Sequence, residues 1–241
     1  MYYKYLPAER KDIIENLKIR FTQPGGLNDP FESVPLIKDD NDPFWQKRQP
    51  DLAARIGAQE IESMSFTVGV LSLSRTKENL LLWSHYADEH RGYVIEFDEK
   101  NDFFTANAEK GTYKPILVSY TSQRPIINMS DIEGLETLFD FHPENLAKLL
   151  GHKPIDWAYE EEVRFFRNIS GLPSYGSCRY GYSIKLVDIP SDAISRIYLG
   201  ANMDESEQKN IINACQQKAL NIPIYKASLS FDSYSLGFSP V

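Results

Sequence analysis

The stretch Trp157–Phe166, WAYEEEVRFF, concentrates groups able to do acid–base or electrostatic chemistry. Read as a strand over Ala158–Phe166, it places residues two apart on a common face. Glu160, Glu162 and Arg164 then share one side, and Tyr159, Val163 and Phe165 the other, with Glu161 as an exception. Two carboxylates and a guanidinium on one face, flanked by aromatics, make a catalytic floor. A carboxylate partly buried beside a like charge binds its proton more tightly, which is how acid–base groups are tuned. The same pattern also fits a solvent-facing edge strand with a cross-strand ion pair, and these residues alone leave both readings open.

A second set of reactive groups lies between Val68 and Asp98. Ser72 and Ser74 alternate at the end of a buried-looking strand, so both hydroxyls face one way. No G-x-S-x-G elbow surrounds them, and a hydrolase nucleophile is not indicated. His85 and Tyr86 sit on the helix that follows. His90 does not share the face of His85, no H-E-x-x-H pattern exists, and no metal site is read. His142 and His152 flank a later helix as cap or surface residues. Lys4 with Tyr5 on a first strand, and Arg20 on a second, are the basic groups nearest the turn motif Asn28, Asp29, Pro30, Phe31 and Glu32. That motif reads as structural, with Phe31 anchoring the loop in the core. Pro24, Gly25 and Gly26 lack the spacing of a phosphate-binding loop.

These groups need elements to hold them. Strands are expected at Tyr2–Leu6, Lys18–Thr22, Val68–Ser74, Tyr93–Phe97, Pro115–Tyr120, Ala158–Phe166, Gly181–Ile189, Ile194–Leu199 and Ile224–Leu229. Helices are expected over Pro7–Leu17, over Asp51–Met64, and after Thr76 as cap with a glycine stop at Gly92. Others follow Ser130 with Glu133 as capping box, span Pro143 to Gly151, and run from Asp204 with Glu207 to Leu220. Tyr93, Ile95 and Phe97 alternate with Val94, Glu96 and Asp98, the period of a half-buried strand. Asp39 to Pro50 reads as an exposed connection. Helices and strands mingle without regular βαβ alternation, so the class is α+β: one mixed domain over residues 1–241, its central sheet mostly antiparallel, helices around it, and a strand–helix–strand at 194–229 packed on.

The chain has 241 residues, 42% hydrophobic, 12% aromatic and 25% charged, enough for a substantial core. A formal net charge of −8 argues against a sequence-independent grip on nucleic acid, which needs a basic footprint. A local basic patch around Arg164, Arg167, Arg179 and Lys185 stays open. Cys178 and Cys215 are too few for a disulfide framework and are expected to be reduced. No apolar run is long enough to span a bilayer, so a soluble, cytoplasmic protein is expected.

In order, KY near the start, NDPFE, SLS, WSHYADEHRGYVIEFD and W-x-YEEEVR resemble the bacterial family catalogued as domain of unknown function 2971, over Tyr3 to about Gly200. The motif order is more remotely similar to ADP-ribosyltransferase-like folds. That resemblance implies NAD as substrate and a bacterial toxin or defence setting, with an unidentified acceptor and an antitoxin or defence partner. It implies that Glu162 holds a ribose hydroxyl and stabilises an oxocarbenium-like state, while Glu160 orients or deprotonates the acceptor. Tyr86 would stack on nicotinamide, Ser72 or Ser74 would support Glu162, and Lys4, Arg20 or His85 would fill the basic position. Arg164 and Tyr5 complete the candidate set. Two other classes stay in view: a metal-dependent hydrolase or nuclease using His85, Glu160 and Glu162, and a non-catalytic module that binds a ligand or defence partner.

Overall fold

A computed structural model describes residues 1–29, 31–32, 36–38, 62, 64–105, 107, 112–128 and 143–241. Expectations for Asp39–Pro50, for most of Asp51–Met64, for His142 and for the Ser130–Glu133 capping box lie outside these residues. In chain order the elements are β1 (Tyr2–Leu6), α1 (Asp12–Asn16), β2 (Lys18–Phe21), β3 (Leu36–Lys38), β4 (Val68–Ser74) and α2 (Leu80–Tyr86). There follow β5 (Tyr93–Phe97), β6 (Ile116–Leu117), β7 (Ser119–Thr121), β8 (Ile126–Asn128), α3 (Pro143–Leu150) and β9 (His152–Pro154). The last are β10 (Glu162–Asn168), β11 (Lys185–Asp188), β12 (Ile194–Leu199), α4 (Glu205–Gln217), β13 (Ile224–Leu229) and β14 (Leu236–Pro240).

Among the described residues one eight-stranded sheet runs in the order β14-β13-β12-β5-β1-β4-β10-β6. Its pairs are antiparallel except β12 with β13, which gives an α+β fold on a mostly antiparallel sheet. The C-terminal strand–helix–strand is therefore part of this sheet, extended by β14. Central β5 is buried at all five positions instead of alternating. It lies between β1 and β12, and helices cover both faces of the sheet, so each side of the pleat meets apolar neighbours. One face carries Leu71, Leu73, Ile95, Phe97, Val163 and Phe165 against α1 and α4; Cys215 of α4 is buried there. On the other, Leu82 and Trp83 of α2 pack on Tyr5, Val94 and Tyr198, and Leu146, Leu149 and Leu150 of α3 pack on Val68, Val70 and Phe166.

Several boundaries differ from expectation for local reasons. The expected helix over Pro7–Leu17 is a 3₁₀ turn at Ala8–Lys11 followed by five α-helical residues, ended by Leu17 in the left-handed region (φ 50°). The cap of α2 is Asn79, whose side chain accepts from the amides of Leu81 and Leu82; Thr76 is spent on the preceding turn, its hydroxyl accepting from the Glu78 amide. Asp204 makes no side-chain cap bond on α4. Helix α2 stops at Tyr86, and Asp88, Glu89 and His90 follow with positive φ. Gly92 serves instead a close approach: a Cβ there would lie 2.1 Å from the Leu6 carbonyl oxygen. The expected strand Pro115–Tyr120 divides at Val118, β6 pairing with β10 and β7 with β9. The expected strand Gly181–Ile189 shortens to β11, which pairs with β2 outside the large sheet. Residues 155–160 form a 3₁₀ helix, so β10 begins only at Glu162.

Candidate functional site

The site begins where the sheet opens. Strands β1 and β4 share one register pair, Tyr3 with Ser74, and then part. In the gap the backbone carbonyl of Ser72 accepts a hydrogen bond from Lys4 Nζ at 2.9 Å. Strand β2 crosses β4 at the Thr22–Val70 bridge and brings Arg20 to the same gap. The resulting half-open cavity, about 210 Å³, is walled by the Gly26–Asn28 turn, by Leu82 and Tyr86 of α2, and by Lys153, Glu160 and Glu162.

Glu160 and Glu162 meet here by a different route from strand alternation. Glu160 closes the 3₁₀ helix, Glu161 takes a left-handed conformation (φ 45°), and Glu162 opens β10. A non-glycine residue in that region is uncommon, and the turn swings Glu161 outward while both flanking carboxylates go in. Glu160 accepts from Tyr86 Oη at 2.7 Å and from Lys153 Nζ at 2.6 Å. Glu162 is gripped by Arg164 through two hydrogen bonds, Nε to Oε1 at 2.7 Å and Nη2 to Oε2 at 3.0 Å. Its own amide donates to Tyr120 Oη at 2.8 Å.

A third carboxylate joins them. Glu32 lies 2.8 Å from Lys153 Nζ and accepts from Arg164 Nη2 at 2.9 Å. Glu32, Glu160 and Glu162 thus surround two buried cations, Lys153 and Arg164, at the cavity floor. The NDPFE turn works in the reverse sense to expectation. Phe31 is 60% exposed, whereas Asp29 and Glu32 are buried. Asp29 Oδ1 accepts from the Phe31 amide, an Asx turn that aims Glu32 inward.

The electrostatics follow from this packing. Burial alone would raise Glu162, but Arg164, then Lys153 and the Ser72 hydroxyl, hold its carboxyl down to about 2. Burial outweighs the same two cations at Glu32, which is pushed above the usual carboxylate range. Burial would lower Lys153, and the three glutamates reverse this and hold it charged. Lys4 has no such escort: burial brings its ammonium down to about 8, with Glu162 only partly opposing. The Tyr86 phenol is pushed up, first by burial and then by Glu160. An acid kept ionised this firmly is a poor proton acceptor, so Glu162 is suited to facing positive charge rather than to general-base work.

Of the ten candidate residues, eight line the cavity: Lys4, Tyr5, Arg20, Ser72, Ser74, Tyr86, Glu160 and Glu162. Ser72 hydrogen-bonds Glu162, but the Ser74 hydroxyl is spent on the Thr76 backbone, and the Tyr5 hydroxyl on the Thr76 carbonyl. Arg164 is fully buried behind Glu162 and does not line the cavity. It cannot belong to a surface basic patch with Arg167, Arg179 and Lys185. His85 is exposed on the outer side of α2, near Tyr159 and away from the cavity. Lys153 and Glu32 were missed. The available signal was charge balance: two glutamates with one arginine on a buried strand require a further cation.

Among the described residues, no group of three or more His, Cys, Asp or Glu is placed to hold a metal ion, and no helix is long and apolar enough to cross a membrane. Residues 82–165 match the model of a family described as protein of unknown function, DUF2971. This match spans α2 to β10, including WSHYA and YEEEVR, and leaves out Lys4, Arg20 and NDPFE; it is narrower than the span from Tyr3 to about Gly200 expected from the motifs. No curated protein and no solved structure matches the chain, and the resemblance to ADP-ribosyltransferase-like folds draws no support from these comparisons.

Proposed function

We propose that this cavity binds a ribosyl donor of the NAD type and transfers its ADP-ribosyl group to an acceptor nucleophile. The observation that carries this reading is the pair Glu160 and Glu162, converging on one cavity wall with Glu162 held ionised by Arg164 and Lys153. A fixed carboxylate facing the ribose stabilises the cationic character that develops at C1′ as the glycosidic bond breaks. The bonding electron pair leaves with nicotinamide, and the acceptor's heteroatom bonds to C1′. Glu160, which faces the cavity beside Tyr86, takes the acceptor's proton. The Tyr86 ring forms an aromatic wall for the nicotinamide. A cavity of about 210 Å³ holds the nicotinamide–ribose portion, and the rest of the dinucleotide extends through the mouth.

Calorimetry with NAD, joined to detection of released nicotinamide, tests the reading. Wild type is expected to bind saturably and to release nicotinamide. Tyr86→Ala should weaken binding at least tenfold, and Glu162→Gln should abolish release while leaving binding measurable. His85→Ala, outside the cavity, should match wild type in both. No binding at millimolar NAD, or release unchanged in Glu162→Gln, would overturn the proposal.

A further inference from the structure

Three cations and three carboxylates line the cavity, and they are unevenly paired. At the floor, Lys153 and Arg164 are matched by Glu32, Glu160 and Glu162. Lys4 and Arg20 also line the cavity, and neither makes an ion pair with any described residue. With Arg164 behind the wall counted, four cations stand against three carboxylates, and Lys4 and Arg20 are the two without an ion pair among the described residues.

The guanidinium of Arg20 is short of partners in its hydrogen bonding too. Its Nε and Nη2 are buried from solvent and have no acceptor among the described residues. The Cys178 thiol stands beside it; burial raises that thiol, but Arg20 and the backbone of Tyr180 and Tyr182 bring it below its ordinary value. Nη2 lies at the cavity wall formed by Gly26, where a Cβ would sit 3.8 Å from it. Lys4 Nζ spends one hydrogen on the Ser72 carbonyl, and an ammonium has two more to give. Nε and Nη2 of one guanidinium form a planar fork matched to two oxygens of a single oxyanion. Leaving such donors buried and empty is costly, and an oxyanion in the gap would satisfy Arg20 and Lys4 together.

We infer that Arg20 and Lys4 form an oxyanion subsite that takes a phosphoryl group of a nucleotide, on the β1–β2 side of the cavity. This rests on the cavity being the ribosyl-donor site proposed above, and it assigns the donor's pyrophosphate to Arg20 and Lys4. The floor repels a phosphate with three carboxylates, so the ligand has one orientation: phosphate toward β2, ribose toward β10.

The test is calorimetry with ADP-ribose, inorganic pyrophosphate and adenosine, on wild type, Arg20→Gln and Arg20→Lys. ADP-ribose is expected to bind wild type at least tenfold more tightly than adenosine, with affinity falling as salt rises. Arg20→Gln should lose roughly tenfold to a hundredfold for ADP-ribose and pyrophosphate, and nothing for adenosine, because a charge-assisted pair is lost. Arg20→Lys, which keeps the charge but not the fork, should recover only part of this. Far-ultraviolet circular dichroism checks that the variants are folded. Three results would overturn the subsite: adenosine binding as tightly as ADP-ribose, Arg20→Gln binding pyrophosphate like wild type, or no anion binding wild type at all. Pyrophosphate matching ADP-ribose would overturn the nucleotide assignment in favour of a free anion. Arg20-dependent ADP-ribose binding without nicotinamide release would sustain the subsite and sink the transfer reaction.

Discussion

Two buried glutamates lie in one row across the same face of the sheet, and they have different fates. Glu96 on β5 is opposite Tyr3 of β1, Tyr3 is opposite Ser74 of β4, and Ser74 is opposite Glu162 of β10. Each glutamate pairs with an arginine and each has phenolic or hydroxyl company. Glu96 bonds Arg196 and Tyr198 (2.7 Å), with Tyr3 as a further donor. Its arginine is 40% exposed, and neither Glu96 nor Arg196 lines the cavity in front of Glu162. Glu162 has an arginine wholly shielded from water, a lysine shared with two other carboxylates, and an open cavity in front. Burial of a charge marks neither as functional; what separates them is whether the partners exhaust the group's surroundings or leave a space beside it.

Breaking the floor should have the largest consequence. Arg164→Ala leaves three carboxylates around Lys153 alone and should destabilise the protein by about 3–5 kcal/mol, as for other buried pairs stripped of one partner. Urea unfolding measures this, and a loss below about 1 kcal/mol would mean the network relaxes into water.

Acid titration sharpens the same comparison at intermediate size. The folded-state value of Glu162, about 2, lies below its ordinary 4.5. Its contribution is therefore complete above about pH 4.5 and is lost as pH falls toward 2, on the order of 3 kcal/mol. Glu32 is shifted the other way, so its penalty is relieved as pH falls and makes the wild-type acid limb shallower. Glu162→Gln should remove the stability loss between pH 4.5 and 2, read from unfolding midpoints at stepped pH. An unchanged slope would place the stabilised carboxylate elsewhere.

The smallest effect belongs to the other glutamate. Arg196→Ala should cost about 1 kcal/mol, because that partner is partly screened by water and two tyrosine hydroxyls remain on Glu96. Thermal unfolding checks the cost, and NAD binding by Arg196→Ala should equal wild type.

The sequence carried the strands of the central sheet and much of the cavity lining, because period-two runs such as VGVLSLS and YVIEF announce themselves. It did not carry the turn at Glu161. The glutamate run lacks any glycine to mark a left-handed residue, so YEEEV reads as continuous strand although a 3₁₀ helix ends there and the strand starts only at Glu162. Lys153 was invisible for a related reason: it stands between His152 and Pro154 in a loop-like stretch, and its value lies in partners 7, 9 and 121 residues away that only the fold assembles. Phe31 misled by composition, since an aromatic in a turn suggests an anchor, while the anchored residue is Glu32 next to it.

The placement of β1 has a consequence in time. Tyr2–Leu6 precedes both of its neighbours in the chain, β4 and β5, whose residues begin at 68 and 93. At a synthesis rate of about 5–20 residues per second, some four to twenty seconds pass between the emergence of Leu6 and that of its β5 partners. Until β4 emerges the aromatic strand has neither of its partners and Lys4 lacks the Ser72 carbonyl it holds, and the β5 side of the strand stays unpaired for longer still. The cavity is thus a late product of assembly, closed only after β10 has docked on β4.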